Sequence, residues 1–200
     1  MKVHHFKNLP IAEQLKLEEE LLRSSTEEHC IINEGTPPTI VMGISGKMEE
    51  LVRPGATLPL LKRFSGGGTV VVDEETIFIT FICNRKPHDF PESIMRWTGE
   101  FYQRAAPPIT LRENDYVIGE KKCGGNAQYI KKERWLHHTS FLWDYSEERM
   151  DLLLHPKKTP QYRNGRSHSD FLSKLSDFFP SKDHFIQLIK CYLENILVLK

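Results

Sequence analysis

Three consecutive glycines, Gly66-Gly67-Gly68, stand between Arg63-Phe64-Ser65 and a β-branched run, Thr69-Val70-Val71-Val72, that closes on Asp73. Glycine has the most conformational freedom to lose on folding and is depleted from strands, so a triplet at the entrance to a strand leaves two outcomes. In one, the segment is a flexible turn that enters the strand at Val70. In the other, backbone lacking Cβ atoms lies against a ligand and turns N–H donors toward phosphate or carboxylate oxygens, with Arg63 near enough to add charge. For a triplet standing alone the turn is the better reading, and the rest of the chain decides between them.

The chain has 200 residues, 39% of them hydrophobic, enough to bury one core, and the length fits a single domain over 1–200. Lys plus Arg and Asp plus Glu are each 27, so no net field favours a nucleic acid or an anionic membrane as partner. No apolar run reaches the roughly 20 residues of a membrane-spanning helix. Met1-Lys2-Val3-His4-His5 is followed by no signal-type apolar stretch, and the expected location is cytoplasmic. Cys30, Cys83, Cys123 and Cys191 are scattered, with no Cys-x-x-Cys pair and no His at metal-ligand spacing. No metal site is expected, and the thiols other than Cys123 read as inert groups in a reducing compartment.

Ile11, Leu15, Leu21 and Leu22 among Glu and Lys form the stripe of a surface helix. Cys30-Ile31-Ile32 and Thr39-Ile40-Val41-Met42 read as strands divided by a Gly- and Pro-bearing break. Gly43-Ile44-Ser45-Gly46-Lys47 is not a phosphate loop, because that motif needs Gly where Val41 stands and Ser or Thr where Met48 stands. Segments 69–72 and 76–82, divided by Asp73-Glu74-Glu75, predict a hairpin at the centre of the sheet. Phe90, Ile94, Trp97 and Phe101, behind Asp89 and Glu92, predict a helix to about Ala105, closed by Pro107-Pro108. Strands are expected at 116–118, 127–130 and 135–143, then two amphipathic helices divided by Pro180-Ser181. The elements interleave without a βαβ repeat, which gives an α+β fold with a mixed, largely antiparallel sheet flanked by helices.

A second glycine pair follows Asn114-Asp115, in Lys122-Cys123-Gly124-Gly125-Asn126-Ala127, again beside a cation and ahead of a strand. An ammonium beside exposed backbone donors suits a phosphate or an acyl carbonyl on which charge builds; the plain alternative is a hairpin with a solvated Lys-Lys tip. With the Arg63 to Asp73 segment, Asn114-Asp115, the Lys122 segment, and His137-His138-Thr139-Ser140 before Phe141-Leu142, the chain resembles the lipoate–protein ligases of the biotin/lipoate ligase group over about 39–153. The resemblance implies the fold of biotin protein ligases and class II aminoacyl-tRNA synthetases. It also implies a reaction, in which lipoate or octanoate is activated by ATP with Mg to an acyl-adenylate and passed to a lysine of a lipoyl carrier domain. The implied carriers are those of 2-oxoacid dehydrogenase complexes or of glycine cleavage. Carried over by motif, Lys122 is the catalytic cation at the acyl carbonyl and phosphate. Arg63, Gly68, Thr69, Val70, Val71, Asp73, Asn114 and Asp115 hold the adenylate. Ser65, Gly66, Gly67, Gly124, Gly125, Ala127 and His138 line the acyl tunnel.

The chain departs from the family's pattern at Val72, where many members have His, and in lacking the C-terminal accessory domain of the bacterial ligase. Either activation needs no such domain, or a separate protein supplies it, or the chain performs transfer alone. An ATP-independent transferase acting through a cysteine thioester would leave Cys123 as its nucleophile, since the Lys122 ammonium favours a thiolate. The other reading of Cys123 is a small apolar filler. A further alternative is a silent acyl- or carrier-binding module. On a strand, His137 and His138 face opposite sides, so only one, His138 by the motif, can reach a pocket. His155 and His168 read as surface-loop residues, and Trp97, Trp135 and Trp143 as core. Tyr162-Arg163-Asn164-Gly165-Arg166 is either a solvated linker or a cover for the adenylate.

Overall fold

The structure, a computed structural model, describes residues 1–154 and 159–198. Its main sheet has seven strands: β1 (Lys2–Lys7), β2 (His29–Glu34), β6 (Thr76–Asn84), β7 (Thr110–Arg112), β8 (Asp115–Ile118), β9 (Lys121–Ile130) and β10 (Arg134–Leu142). They lie in the order β1-β2-β6-β10-β9-β8-β7, antiparallel throughout except for the parallel β1–β2 pair. A smaller sheet of β3 (Thr39–Met42), β4 (Leu60–Lys62) and β5 (Thr69–Val72) has β3 at its centre, parallel to β4 and antiparallel to β5. The fold is α+β with a mixed, largely antiparallel sheet, as the interleaved pattern predicts.

Side-chain alternation along β6 builds two layers from one strand. Ile77, Ile79, Phe81 and Cys83 face helices α3 (Pro91–Ala105) and α6 (Lys182–Val198), where Phe81 meets Phe101 edge-on at 5.0 Å between ring centroids. Phe78 and Ile82 face the other way, toward helix α1 (Ile11–Ser24), meeting Ile11, Leu15 and Leu22. Truncating a buried Leu or Phe in either layer to Ala costs about 2–5 kcal/mol. Helix α3 ends at Ala105, where the sequence places it, but its N-terminal backbone is capped by Ser93 Oγ accepting from Phe90 N–H at 2.8 Å. Asp89 instead accepts from Trp135 Nε1 at 3.0 Å. Trp135 is buried as expected, whereas Trp97 is 38% exposed at the edge of the core.

Four expectations are corrected. Helix α1 is half-buried and not a surface helix, because its inward face, Ile11, Gln14, Leu15, Glu18 and Leu22, mixes apolar with polar residues. Segments 69–72 and 76–82 are not a hairpin: β5 pairs with β3, while β6 pairs with β2 and β10 in the other sheet. Asp73 makes the corner between them, its Oδ1 accepting from Glu75 N–H at 2.9 Å and its Oδ2 meeting Arg149 at 2.7 Å. Gly124 and Gly125 lie inside β9 and not in a loop. The first of the two C-terminal helices is only a short turn, α5 (His168–Phe171), followed by a 3₁₀ turn at Leu175–Asp177; α4 (Glu147–Met150) and α2 (Met48–Leu51) are equally brief. Among the described residues no helix is long and apolar enough to cross a membrane.

Candidate active site

The glycine triplet is shaped by its own arginine. Arg63 is 5% exposed and donates to the Gly66 carbonyl through Nε (3.1 Å) and Nη2 (2.7 Å), to Gly68 through Nη2 (2.8 Å), and to Val41 through Nη1 (3.4 Å). Burial pulls the guanidinium pKa down to about 10, against the opposing pull of Glu18, so it stays charged at neutral pH. Its donors are engaged by main-chain carbonyls, and its first role is to hold the loop. Gly67 has φ +96, and a Cβ there would sit 2.7 Å from Arg63 Nη2, so a side chain is excluded on both counts. Gly43 packs as closely from the facing loop, its absent Cβ leaving only 2.2 Å to the Gly67 carbonyl oxygen. A Cβ at Gly66 or Gly68 would meet nothing within 4 Å.

The second motif is bent by a β-bulge: Tyr116 pairs with Gly124 and Val117 with Lys122, leaving Cys123 as the extra residue. Lys122 Nζ meets Asp115 Oδ1 at 2.6 Å, while Asp115 Oδ2 accepts from the Tyr162 hydroxyl at 2.9 Å. A Cβ at Gly125 would stand 3.6 Å from Lys122 Nζ, in ordinary contact, so this glycine lies beside the ammonium without being demanded by packing. Gly124 belongs to the core: its missing Cβ is the space taken by the Phe141 ring, 2.7 Å away. Cys123 is fully buried with Sγ toward the Tyr116 carbonyl at 3.4 Å, and burial pushes its thiol far above the ordinary range. It is neither exposed nor ionised, which removes the basis for a thioester at this residue.

Behind the cavity runs a buried polar array that the sequence reading missed. Glu18, 0% exposed, accepts from Gln14 Nε2 (2.8 Å) and Thr80 Oγ1 (2.6 Å), and its second oxygen faces His138 Nδ1 at 3.1 Å. His138 Nε2 lies 3.4 Å from Ser65 Oγ. The order is serine, histidine, carboxylate, but Ser65 is fully buried and away from the cavity wall, so its hydroxyl cannot reach a substrate. The missed signal was the spacing of Ile11, Gln14, Leu15 and Glu18, which places the two polar residues on the apolar face. His137 points to the opposite side, as alternation requires, and bonds the Tyr116 hydroxyl at 2.8 Å; burial lowers its pKa to about 3.

These elements enclose a cavity of about 630 Å³. One part of its wall is apolar, Ile11, Leu15, Val41, Val72 and Phe78, which pack as one cluster. Another is polar, with Lys122, Asp115, Asn114, Glu113 and Arg163. From the glycine stretch, Arg63, Gly68, Thr69, Val70 and Val71 reach the wall, and from the second motif Gly125, Ala127 and His138 do. Ser65, Gly66, Gly67, Asp73 and Gly124 do not. Val72, read only as a departure from the family's pattern, and Ser140, to which no role was given, also line the wall, and so does His168, which was expected on a surface loop; His155 lies outside the described residues. Segment 161–166 is no solvated linker, since Tyr162 and Arg163 are buried against the site. Among the described residues no group of three or more His, Cys, Asp or Glu is placed to hold a metal ion.

Residues 10–195 match the family model of the lipoyl protein ligase A/B catalytic domain. The chain belongs to this family. Among curated relatives, the inactive lipoate–protein ligase 2 of Plasmodium falciparum is 27% identical, the match covering 89% of this chain and 58% of that one. The lipoyl ligase domain described here spans about half the length of the curated relatives it matches, 58%, 43% and 51% in three of them. Its fold is also that of the bipartite lipoate protein ligase of Thermoplasma acidophilum, studied with its E2 lipoyl domain (TM-score 0.81, 18% identity, 98% of this chain and 84% of that one). A lipoate-protein ligase A bound with ATP superposes equally well (TM-score 0.80, 19% identity, 98% and 86%).

Proposed function

We propose that the chain is a lipoate–protein ligase-type enzyme that holds a medium-chain acyl-adenylate, lipoyl or octanoyl, and passes the acyl group to a lysine of a lipoyl carrier domain. The observation that carries this is the division of one cavity into an apolar wall, at Ile11, Leu15, Val72 and Phe78, and a polar one at Lys122 and Arg163. A thin alkyl tail fits the first, and an acyl phosphate fits the second. Such a mixed anhydride needs positive charge where its phosphate leaves and its carbonyl oxygen gains charge, and Lys122 is the cation placed for both. The carrier amine attacks the acyl carbon, the C–O bond to AMP breaks, and the amine proton is lost to solvent. Gly68 and Thr69 to Val71 form the nucleotide side of the site, with Asn114 and Asp115 beside them, and Gly125, Ala127 and His138 complete the acyl side. Mg would enter with ATP, which typically demands one or two protein carboxylates, and Glu113 and Asp115 are those on the wall. The carriers are lipoyl domains of 2-oxoacid dehydrogenase complexes or of glycine cleavage.

A second reading, transfer or binding without activation, is supported by likeness to a relative that carries the word inactive in its name. One experiment separates them. The chain is incubated with apo lipoyl domain and either octanoate, ATP and Mg or preformed octanoyl-AMP, and the carrier mass is measured. Modification from both mixtures establishes the full reaction, modification from octanoyl-AMP alone establishes transfer, and an unmodified carrier in both rejects the enzyme.

A further inference from the structure

The segment 159–173 walls the cavity through Pro160, Arg163, Phe171 and Leu172, and it is fastened at four points. Gln161 and Tyr162 N–H groups donate to the two oxygens of Glu113 at 3.1 and 3.0 Å. The Arg112 guanidinium lies 4.9 Å over the Tyr162 ring, Arg166 Nη1 donates to the Glu120 carbonyl at 3.0 Å, and Ser173 N–H donates to the Lys122 carbonyl at 2.8 Å. Glu113 adopts φ +51 at this fastening, a conformation uncommon outside glycine.

None of these four fastenings uses the Tyr162 hydroxyl. It donates instead to Asp115 Oδ2 at 2.9 Å, on the carboxylate whose other oxygen holds Lys122 Nζ at 2.6 Å. Asp115 is 8% exposed, so water screens neither bond well.

We propose that Tyr162 is a positioning residue for Lys122, acting through Asp115. By hydrogen-bonding one carboxylate oxygen, it stabilises the anion and weakens the hold of the other oxygen on the ammonium, which is then able to leave Asp115 for the oxygens of an incoming acyl phosphate. Burial, and then the Asp115 charge, push the phenol's pKa well upward, so the hydroxyl remains a donor at any working pH. The inference rests on the acyl-adenylate reading for its purpose, but the linkage itself is measurable without any reaction.

The test treats the full chain with a small acetylating reagent and follows each lysine by mass spectrometry, with the other lysines as internal reference. Tyr162→Phe keeps the ring and its Arg112 contact and removes only the hydroxyl. The expected result is acetylation of Lys122 slowed about five-fold relative to the reference lysines, the worth of one hydrogen bond, while Asp115→Asn accelerates it above wild type. Glu113→Gln, whose bonds are to the backbone of the 161–163 turn, gives the same selective slowing by loosening Tyr162. Equal Lys122 rates in wild type and Tyr162→Phe overturn the proposal, as does slowing shared by all lysines. Octanoyl-AMP with an apo carrier is run on the same wild-type sample: failure to transfer counts against the acyl-adenylate reading, while the labelling ratio decides the role of Tyr162 independently.

Discussion

Glu18 Oε2 and His138 Nδ1 lie 3.1 Å apart, joining helix α1 to strand β10 across the floor of the cavity. A fully buried carboxylate survives there because both of its oxygens are hydrogen-bonded. Glu18→Ala removes one partner of a buried pair and leaves Thr80, Gln14 and His138 unsatisfied, at a cost of about 3 kcal/mol. Glu18→Gln keeps the shape and one acceptor oxygen, at a cost nearer 1 kcal/mol. Urea denaturation of the two variants measures the difference, and equal midpoints would show the array to be energetically neutral.

The glycines of the triplet are not equivalent. Gly67→Ala forces a side chain into a left-handed backbone and onto Arg63, and is expected to cost about 2 kcal/mol or more. Gly66→Ala enters open space and leaves the thermal midpoint within a degree or two of wild type. Gly68→Ala is equally free of clashes but projects from a wall residue, so its effect is on octanoyl-AMP affinity and not on stability. Thermal melts and titration calorimetry on the three variants give the ranking.

Lys122 and Cys123 are adjacent in sequence and opposite in expected effect. Lys122→Met lowers acyl transfer by about 10²–10³-fold, the scale for losing one group that stabilises developing charge. Cys123→Ala leaves the transfer rate within a factor of about three while lowering stability by about 1 kcal/mol, because it empties a small volume of the core. An acyl adduct on Cys123 in mass spectra of the wild type would restore the thioester route.

His137 gives a signed pH dependence. Its pKa is lowered from 6.5 to about 3 by burial, so the unfolded chain takes the proton first as pH falls. Stability from this group is complete above about pH 6.5 and is lost progressively below it, by about 2 kcal/mol at pH 5. His29, lowered in the same direction by its own burial, adds to the trend. His137→Gln flattens the decline between pH 7.5 and 5 measured by thermal denaturation; an unchanged slope would assign the acid sensitivity elsewhere.

Much of the architecture was legible where periodicity and burial agreed. Phe90, Ile94 and Phe101 announce α3, and the run of β-branched and aromatic residues at 76–82 announces a largely buried strand. The hairpin error arose because a short acidic turn between two apolar runs looks the same whether the second run folds back on the first or crosses to another sheet. That choice is made by partners far away, β3 for Val70 to Val72 and β10 for Phe78 to Ile82. Gly124 and Gly125 were left outside the expected strands since glycine weakens strands; inside β9 the first makes room for the Phe141 ring and the second lies beside the Lys122 ammonium. Glu18 stayed hidden because a charged residue on a helix is ordinarily turned to water.

The corner at Asp73 joins the two sheets, and residues on both sides of it in sequence line the cavity, Val70 and Val72 before it and Thr76 and Phe78 after it. It works as a mitre joint between β5 and β6, with the Asp73–Arg149 bond, 2.7 Å long, as its peg. The shape offered to any ligand is therefore set in part by an ion pair that lies off the cavity wall. A substitution at Arg149, which is not itself a wall residue, is expected to shift the wall at this corner while leaving every lining side chain in place.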